Sequence, residues 1–432
     1  MYRVWNYVSH YSVLLLAGAV LALVWANLDP QGYRHIVDFP LMFNDLAGTD
    51  ATGWLIANGA RYGIEEIGDV TRILTPHYLV NDMAMAFFFA IAAKEVWEAL
   101  ILEQGSLRGR KAATPLIATA GGMIGPVVVY LGLAAVLGSD VQDAVTQGWA
   151  VPVATDIALA YVVGRAIFGA GHAAVRFLLF LAIADDAVAL LIVAVFYPSG
   201  DVVPGWLLLS LGSALAVFVV FNWLPRRLDR GDQLRSRSTW VRQKLSFWPY
   251  LIAGILSWYG FQQSGLHPVL GLLPIVPAIP HADRAFGFFS EAEQYLTDLL
   301  NQIEHMLKLP VMAALFLFGV MNGGVELAAI GAPTWLVLAG LLIGKPVGVI
   351  LFGWLAAHPM RLGLPVGMQS RDLTVVGLAA GIGFTVPLFI ASVAFEPGVT
   401  QDAAKIGVLL SLSAAALAIA AGRLFGIQKQ TG

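Results

Sequence analysis

The stretch FLLFLAIADDAVALLIVAVFY, from Phe177 to Tyr197, places two adjacent acidic residues inside an otherwise apolar run. A helix that crosses the hydrocarbon core of a bilayer needs about 20 mainly apolar residues, and this run is long enough. Arg176 precedes the run and Tyr197 ends it, so Asp185 and Asp186 are predicted to lie near mid-depth. Ionisable side chains at that depth are costly, and the pair therefore requires a functional or structural reason.

The chemistry of two adjacent carboxyl groups suggests that reason. Two carboxylates repel each other where the dielectric constant is low, so at least one of them holds a proton readily. When deprotonated, the same oxygens are hard ligands that suit a small cation. One site can therefore bind either a proton or a cation, which is the chemistry of an ion exchanger. The alternative is a pair locked in hydrogen bonds that serve stability alone.

The composition of the whole chain supports a membrane protein. Of 432 residues, 58% are hydrophobic and 12% are charged, against about 25% charged in soluble domains. A net charge of −3 is too small to indicate nucleic acid as a partner. The absence of cysteine excludes disulfides, thiolate metal sites and cysteine catalysis. The apolar run from Ser12 to Ala26 is interpreted as a retained first helix rather than a cleaved signal peptide.

Further apolar segments predict an all-α polytopic membrane protein with about twelve transmembrane helices. The predicted spans are residues 12–28, 80–103, 113–137, 149–165, 175–197, 203–224, 247–262, 266–280, 308–322, 333–356, 373–395 and 404–424. Residues 1–432 are predicted to form a single transmembrane transporter domain, with 29–79 as a long extracytoplasmic loop that has room for a short hairpin or helix.

The distribution of basic residues predicts the orientation of these spans. Loops after every second span carry Lys and Arg, including Arg108, Arg110 and Lys111, the cluster from Arg226 to Lys244, and Arg284. The loops near 138–148, 198–202, 263–265, 323–332 and 396–404 carry neither. Because basic residues collect on the cytoplasmic side, both termini are predicted to be cytoplasmic, in a bacterial inner membrane.

A lysine is buried in a later span. Lys345 lies near the middle of LAGLLIGKPVGVILFGWLAA, from which its ammonium cannot easily reach an interface. A buried ammonium needs a counter-ion, and Asp185 and Asp186 are the candidates. Ion pairing alone and proton exchange by the lysine itself both remain open at this point.

Two segments combine helix-breaking residues with polar ones. They are Pro152 beside Thr155 and Asp156, and Gly381, Gly383 and Pro387 around Thr385. Proline removes a backbone donor, and interrupted helices at membrane depth are tolerated only where protein or a cavity surrounds them. Paired interruptions in the two halves of a transporter point to its binding site, whereas simple kinks are the alternative.

The second span carries further ionisable residues. Lys94, Glu95 and Glu98 lie towards its cytoplasmic end, where a cytoplasmic funnel and a solvated helix end are equally good interpretations. Asp82 begins the span and is predicted to cap the helix. His267 is predicted to be a hydrogen-bonded structural histidine.

From about Asn81 to Gly422 the chain resembles the NhaA-type sodium/proton antiporters, a family with inverted-topology repeats. The resemblance rests mainly on four motifs: Ala154-Thr155-Asp156-Ile157-Ala158, Ala182-Ile183-Ala184-Asp185-Asp186, Leu342-Ile343-Gly344-Lys345-Pro346 and Gly381-Ile382-Gly383-Phe384-Thr385. It implies twelve helices, with spans three to five repeated in inverted form by spans ten to twelve. It also implies two unwound helices that cross, which fits the breaks at Pro152 and at Gly381 to Gly383.

The resemblance implies a role for each site residue. Asp186 matches the main cation ligand, Asp185 the carboxylate that pairs with Lys345, and Thr155 and Asp156 the crossing. Asp185, Asp186 and Thr155 would thus contact the transported sodium ion. Glu95 matches an acidic residue of a pH-responsive funnel. In two departures from the family, Lys94 replaces an ordinarily apolar residue and Pro387 an ordinarily small or polar one.

The implied function is secondary active antiport of sodium or lithium ions against protons by alternating access. No enzymatic activity and no cofactor are expected, because Na⁺ and H⁺ are the transported species. A homodimer that forms through the outer-face hairpin is expected.

Three rival functions fit less well. A sodium-coupled organic-anion symporter of related fold would need an open polar cavity and no lysine opposite two acids. An intramembrane aspartyl protease would need a Gly-x-Gly-Asp motif, and Gly381-Ile382-Gly383-Phe384 lacks the acid. A channel would need a selectivity filter, and nothing in the sequence resembles one.

Overall fold

A computed structural model describes residues 2–101, 113–230, 236–280 and 299–430, which are mainly helical. The first part of the chain forms α1 (Tyr2–Leu28), α2 (Pro30–Val37), β1 (Met42–Asn44), β2 (Thr49–Asp50), α3 (Ala51–Tyr62), β3 (Arg72–Leu74), α4 (Pro76–Tyr78), α5 (Met85–Ile101), α6 (Ala113–Leu137), α7 (Ser139–Val145), α8 (Ile157–Phe168) and α9 (Ala173–Phe196). The second part forms α10 (Leu207–Phe218), α11 (Leu224–Leu228), α12 (Ser236–Trp240), α13 (Trp248–Ser264), α14 (Leu299–Asn322), α15 (Ala332–Ala339), α16 (Lys345–Ala357), α17 (Ser370–Ala380), α18 (Thr385–Ala394), α19 (Val399–Leu410) and α20 (Ser413–Leu424). The predicted loop charges Arg108, Arg110, Lys111, Arg235 and Arg284 lie outside the described residues.

The apolar helices are consistent with the predicted all-α membrane protein, because the chain is mainly helical apart from one small sheet. Within the described residues, five helical segments are long and apolar enough to cross a bilayer. Two are single helices, Ala113–Leu137 and Ala173–Phe196. The other three each include two of the helices named above: Pro204–Leu228, Ala332–Ala357 and Val399–Leu424. Two bent pairs, Ser139–Val153 with Ile157–Phe168 and Ser370–Ala380 with Thr385–Ala394, bring the number to seven. The other five predicted spans fall on shorter or less apolar helices, so the count of twelve stays a prediction.

The chain divides into two compact units. The first contains Met1–Val13, Ala99–Val193 and Val325–Gly432, and the second contains Leu14–Glu98 and Ala194–Gly324. Within the first unit, α6 packs closely against α16, because glycines face each other there. A Cβ atom on Gly121 would lie 2.3 Å from the carbonyl oxygen of Gly348, and one on Gly125 would lie 2.2 Å from that of Gly344. Small residues are what allow two membrane helices to approach at backbone distance.

Within the second unit, α10 packs against α13 through buried hydroxyl groups. The Oγ atoms of Ser210 and Ser257 lie 2.6 Å apart, and Ser257 also donates to the carbonyl of Gly271. Further along the same two helices, Val217 and Tyr250 belong to an apolar cluster that also includes Ile275. Serine hydroxyls between helices stabilise such a pair where no water is available.

The 29–79 segment contains three short helices, α2, α3 and α4, and a three-stranded antiparallel sheet in the order β1-β3-β2, so the predicted short elements are present. Asp29 caps α2 by accepting a hydrogen bond from the Gly32 amide, and Asp50 caps α3 in the same way through Gly53. Trp54 and Ile73 form the centre of its small core. The segment therefore has a defined structure of its own.

Candidate functional site

The first helix break lies in the first unit and ends at Asp156. A 3₁₀ helix from Thr146 to Val153 contains Pro152, and α8 begins after the extended residues that follow. The chain bends by 52° at this point. Oδ1 of Asp156 accepts a hydrogen bond from the Leu159 amide at 2.8 Å, which makes Asp156 the N-cap of α8. A carboxylate at this position also interacts favourably with the helix dipole.

The second break separates α17 from α18, which are bent by 46°. Thr385 is the first residue of α18, and both its amide and its hydroxyl donate to Oδ2 of Asp156, at 3.2 and 2.8 Å. In return, the Asp156 amide donates to the carbonyl of Ile382 at 2.8 Å. Each break thus provides hydrogen-bond partners for backbone groups of the other, and buried backbone groups need such partners.

Asp185 and Lys345 form a fully buried ion pair. Nζ of Lys345 lies 2.7 Å from Oδ2 of Asp185, and both side chains have an exposed fraction of 0%. Lys345 also donates to the carbonyl of Val153, the last residue of the 3₁₀ helix at the first break. The Thr155 hydroxyl lies 2.9 Å from Oδ2 of Asp185 and 2.9 Å from the carbonyl oxygen of Ala380, and its one hydrogen can serve either. The ion pair therefore joins α9, α16 and both breaks.

The backbone around Lys345 is irregular, which helps to define the position of its side chain. A π-helical turn from Gly340 to Gly344 precedes it, and Pro346 follows it. Proline has no amide hydrogen, so the regular hydrogen-bond ladder cannot continue through residue 346. Such π-helical turns often occur at functional sites. The close contact of Gly344 and Gly348 with α6 fixes this helix on one side.

Asp186 is buried, with an exposed fraction of 3%. Oδ1 of Asp186 and Oδ1 of Asp185 have no hydrogen-bond partner among the residues that the structure describes. Burying an unpaired carboxylate oxygen is costly, so a site with two of them is suited to bind a cation or a proton. If all groups were ionised, Asp156, Asp185 and Asp186 would carry two negative charges in excess of the charge on Lys345.

The oxygen ligands available here suit a small, hard cation. Carboxylate, hydroxyl and carbonyl oxygens come from Asp185, Asp186 and Thr155 and from the chain around them. In the described part of the chain, no cluster of three or more His, Cys, Asp or Glu side chains could hold a resident metal ion.

The predicted pH-response residue lies in the second unit. Glu95 and Glu98 are buried, and Nζ of Lys94 lies 3.7 Å from a carboxylate oxygen of Glu95 and 3.5 Å from one of Glu98. The interpretation of these residues as a solvated helix end is wrong, because all three side chains are less than 10% exposed. They form a compact charged cluster.

The predicted cap role of Asp82 is also wrong. Thr75 caps this helix by accepting a hydrogen bond from the Tyr78 amide at 3.1 Å. Asp82 lies about two turns further on, and its Oδ1 is 3.3 Å from Nδ1 of His267, a buried residue. The sequence offers no local signal for this pair, because 185 positions separate its two members.

Comparison with known proteins gives a consistent result. The family model described as Na⁺/H⁺ antiporter 1 matches residues 3–422. A protein of Jannaschia sp. (strain CCS1) named Na(+)/H(+) antiporter NhaA is 64% identical over 430 residues, which cover 100% of both chains. Proteins of Geobacter sulfurreducens and Pelobacter propionicus with the same type of name are 40% and 42% identical, each with 98% of both chains covered.

Proposed function

This chain belongs to the Na⁺/H⁺ antiporter 1 family, and on that basis we propose that it exchanges sodium ions for protons across the bacterial inner membrane. Exchange is by alternating access, with sodium or lithium and protons as the transported species. The observation that carries the proposal at the level of the site is the pair of buried carboxylate oxygens, Oδ1 of Asp185 and of Asp186, that lack a hydrogen-bond partner among the described residues.

Asp186 is the main cation ligand in this proposal. Its carboxylate lies next to that of Asp185 on α9, and the two together provide the negative charge that a desolvated cation requires. A proton on either carboxyl group removes that charge. Protons and cations therefore compete for one site, which couples the movement of one to the movement of the other.

Lys345 links the cation to the proton. The ammonium occupies Oδ2 of Asp185 at 2.7 Å, so a cation that takes this oxygen must displace it. A displaced ammonium in an apolar environment is unstable and gives up its proton. Thr155 offers a hydroxyl oxygen to the cation. The Asp156 carboxylate offsets the partial positive charge of the helix N-termini at the crossing.

A twelve-helix fold with inverted repeats is part of the proposal. It is supported by the order of elements in the first unit: an apolar segment of membrane length, a sharply bent helix pair and a second apolar segment of membrane length occur twice. The first set is α6, α7 with α8, and α9; the second is α15 with α16, α17 with α18, and α19 with α20. In this topology both termini are cytoplasmic, and the chain works as one transporter domain.

Two further roles are proposed for the second unit. Glu95, in contact with Lys94, contributes to the pH response at the cytoplasmic end of α5. The sheet formed by β1, β2 and β3 in the 29–79 loop mediates a homodimer, since β1 and β2 are both edge strands that can pair with another chain.

The test is Asp186→Asn in the full-length protein reconstituted into vesicles. The variant should remain folded and lose sodium-dependent proton flux, whereas Asp140→Asn, at an exposed position on α7, should behave as wild type. Proton flux near the wild-type rate in Asp186→Asn would overturn the assignment. Uptake of an organic anion with sodium, in the absence of proton counterflow, would instead favour the symporter of related fold.

A further inference from the structure

Ser411 is a fully buried residue at an interruption in the last apolar segment. α19 ends at Leu410 and α20 begins at Ser413, so Ser411 lies in the short turn between them. Its exposed fraction is 0%. Neither the sequence motifs nor the proposed ion site includes this residue, yet its side chain points to one of the two helix breaks.

The hydroxyl of Ser411 contacts both backbone groups of Gly383. Oγ lies 2.7 Å from the carbonyl oxygen of Gly383 and accepts a hydrogen bond from the Gly383 amide at 3.2 Å. Oγ also lies 2.6 Å from the carbonyl oxygen of Val408. The Val408 carbonyl already accepts a hydrogen bond from the Ser411 amide at 3.1 Å. We therefore assign the single hydroxyl hydrogen of Ser411 to the Gly383 carbonyl.

The position of Gly383 explains why it depends on an outside donor. α18 begins at Thr385, and its first backbone hydrogen bond runs from the Leu388 amide to the Phe384 carbonyl at 2.9 Å. Gly383 lies before this bond, in the unwound segment. Among the described residues, no backbone amide donates to the Gly383 carbonyl. Ser411 therefore supplies the hydrogen bond that the helix does not.

Donors from elsewhere in the fold reach several carbonyls of the break. The Ile382 carbonyl accepts from the Asp156 amide and the Gly383 carbonyl from Ser411, and the Thr155 hydroxyl lies 2.9 Å from the Ala380 carbonyl oxygen. Gly383 lies two residues before Thr385, whose amide and hydroxyl hold Asp156. A shift of Gly383 would move these donors away from the carboxylate.

We propose that Ser411 is a positioning residue for the ion site, which acts by holding the unwound segment before Thr385 in the conformation that binds Asp156. The inference rests on the proposed sodium/proton exchange for its effect on transport. Its effect on the backbone can be measured without transport.

The test compares two residues of nearly equal shape, Ser411→Thr and Ser411→Val, in the full-length protein. Only threonine retains the hydroxyl. Ser411→Ala, which adds no bulk, is measured beside them, and Ser413→Ala is the control because Ser413 is exposed on the same segment and donates to the local Leu410 carbonyl. The two measurements are amide hydrogen exchange at Gly383 and Thr385 in detergent, and the apparent sodium constant and maximal rate in vesicles.

In Ser411→Val and Ser411→Ala the buried Gly383 carbonyl loses its hydrogen-bond donor. We therefore expect both variants to speed amide exchange at Thr385 and to raise the apparent dissociation constant for sodium by about tenfold. The maximal rate should change less, and Thr and the Ser413 control should stay near wild type. A merely structural role would lower Tm and leave the Thr385 amide and the sodium constant unchanged. Equal results for Thr and Val would overturn the proposal. If the wild type shows no sodium-dependent exchange, the proposed function fails, while the Thr385 amide still decides the role of Ser411.

Discussion

Replacement of Lys345 by alanine should destabilise the folded protein, because it leaves Asp185 buried without its counter-ion. The two charged groups lie 2.7 Å apart, and neither side chain is exposed. After the change, the one hydrogen-bond donor to Asp185 among the described residues is the hydroxyl of Thr155, 2.9 Å from Oδ2. Oδ1 of Asp185 has no partner there even in the wild type.

The expected magnitude follows from the burial of the pair. Removing one partner of a buried ion pair costs about 3–5 kcal/mol. With about 2.1 cal/mol/K of unfolding entropy per residue, a chain of this length has about 0.9 kcal/mol/K, so Tm should fall by about 3–6 °C.

The measurement is thermal unfolding in detergent at several pH values, with three companion variants. Lys345→Arg should retain more stability than Lys345→Ala, because it keeps a positive charge. Lys429→Ala, at an exposed position, should match the wild type. The double variant Lys345→Ala/Asp185→Asn should recover much of the loss, because no unpaired charge remains. Equal Tm values for wild type and Lys345→Ala at every pH would refute the buried pair, and a double variant as unstable as the single one would refute the role of charge.

Other predictions address the ion site and its support. Apparent sodium affinity should weaken about tenfold per competing proton for each unit of falling pH, since protons fill the carboxylates as pH falls; an affinity that stays flat while the maximal rate changes would indicate a separate sensor at Glu95. Thr385→Val removes a hydrogen bond to Asp156 and should raise the apparent sodium constant by about tenfold in vesicle assays; an unchanged constant would contradict the role of this hydroxyl group. Gly348→Ala should destabilise by about 1–3 kcal/mol in denaturant unfolding, because its Cβ atom would lie 1.9 Å from the carbonyl oxygen of Gly121, whereas Gly132→Ala, which meets nothing within 4 Å, should not.

The sequence predicted those residues whose charged side chains are unfavourable at mid-membrane depth whatever surrounds them. Asp185, Asp186 and Lys345 are conspicuous because any charge at mid-depth needs a reason, and the pairing of Lys345 with Asp185 is confirmed at 2.7 Å. The two helix breaks were also predictable, because Pro152 and Gly381 disfavour regular helix in segments of membrane length.

What the sequence could not predict are contacts that depend on distant backbone groups. The carbonyl of Val153 accepts from Lys345, and nothing in a valine signals this. Ser411 is one of many serines in apolar segments until its distance to Gly383 is known. Likewise, the burial of Lys94 depends on how other helices pack around it, which local hydrophobicity does not reveal.

The mutual bonding of the two helix breaks has a consequence for biosynthesis. Thr155 and Ala380 are 225 positions apart, and Asp156 and Thr385 are 229 apart. A ribosome that adds about 5–20 residues per second needs about 10–45 s to make the intervening chain. During that interval the first break is already synthesised, but its threonine and aspartate lack their partners on the second break. Nascent chains stopped before residue 380 should therefore keep this segment accessible to water or to the insertion machinery, and the ion site can close only when the last helices arrive.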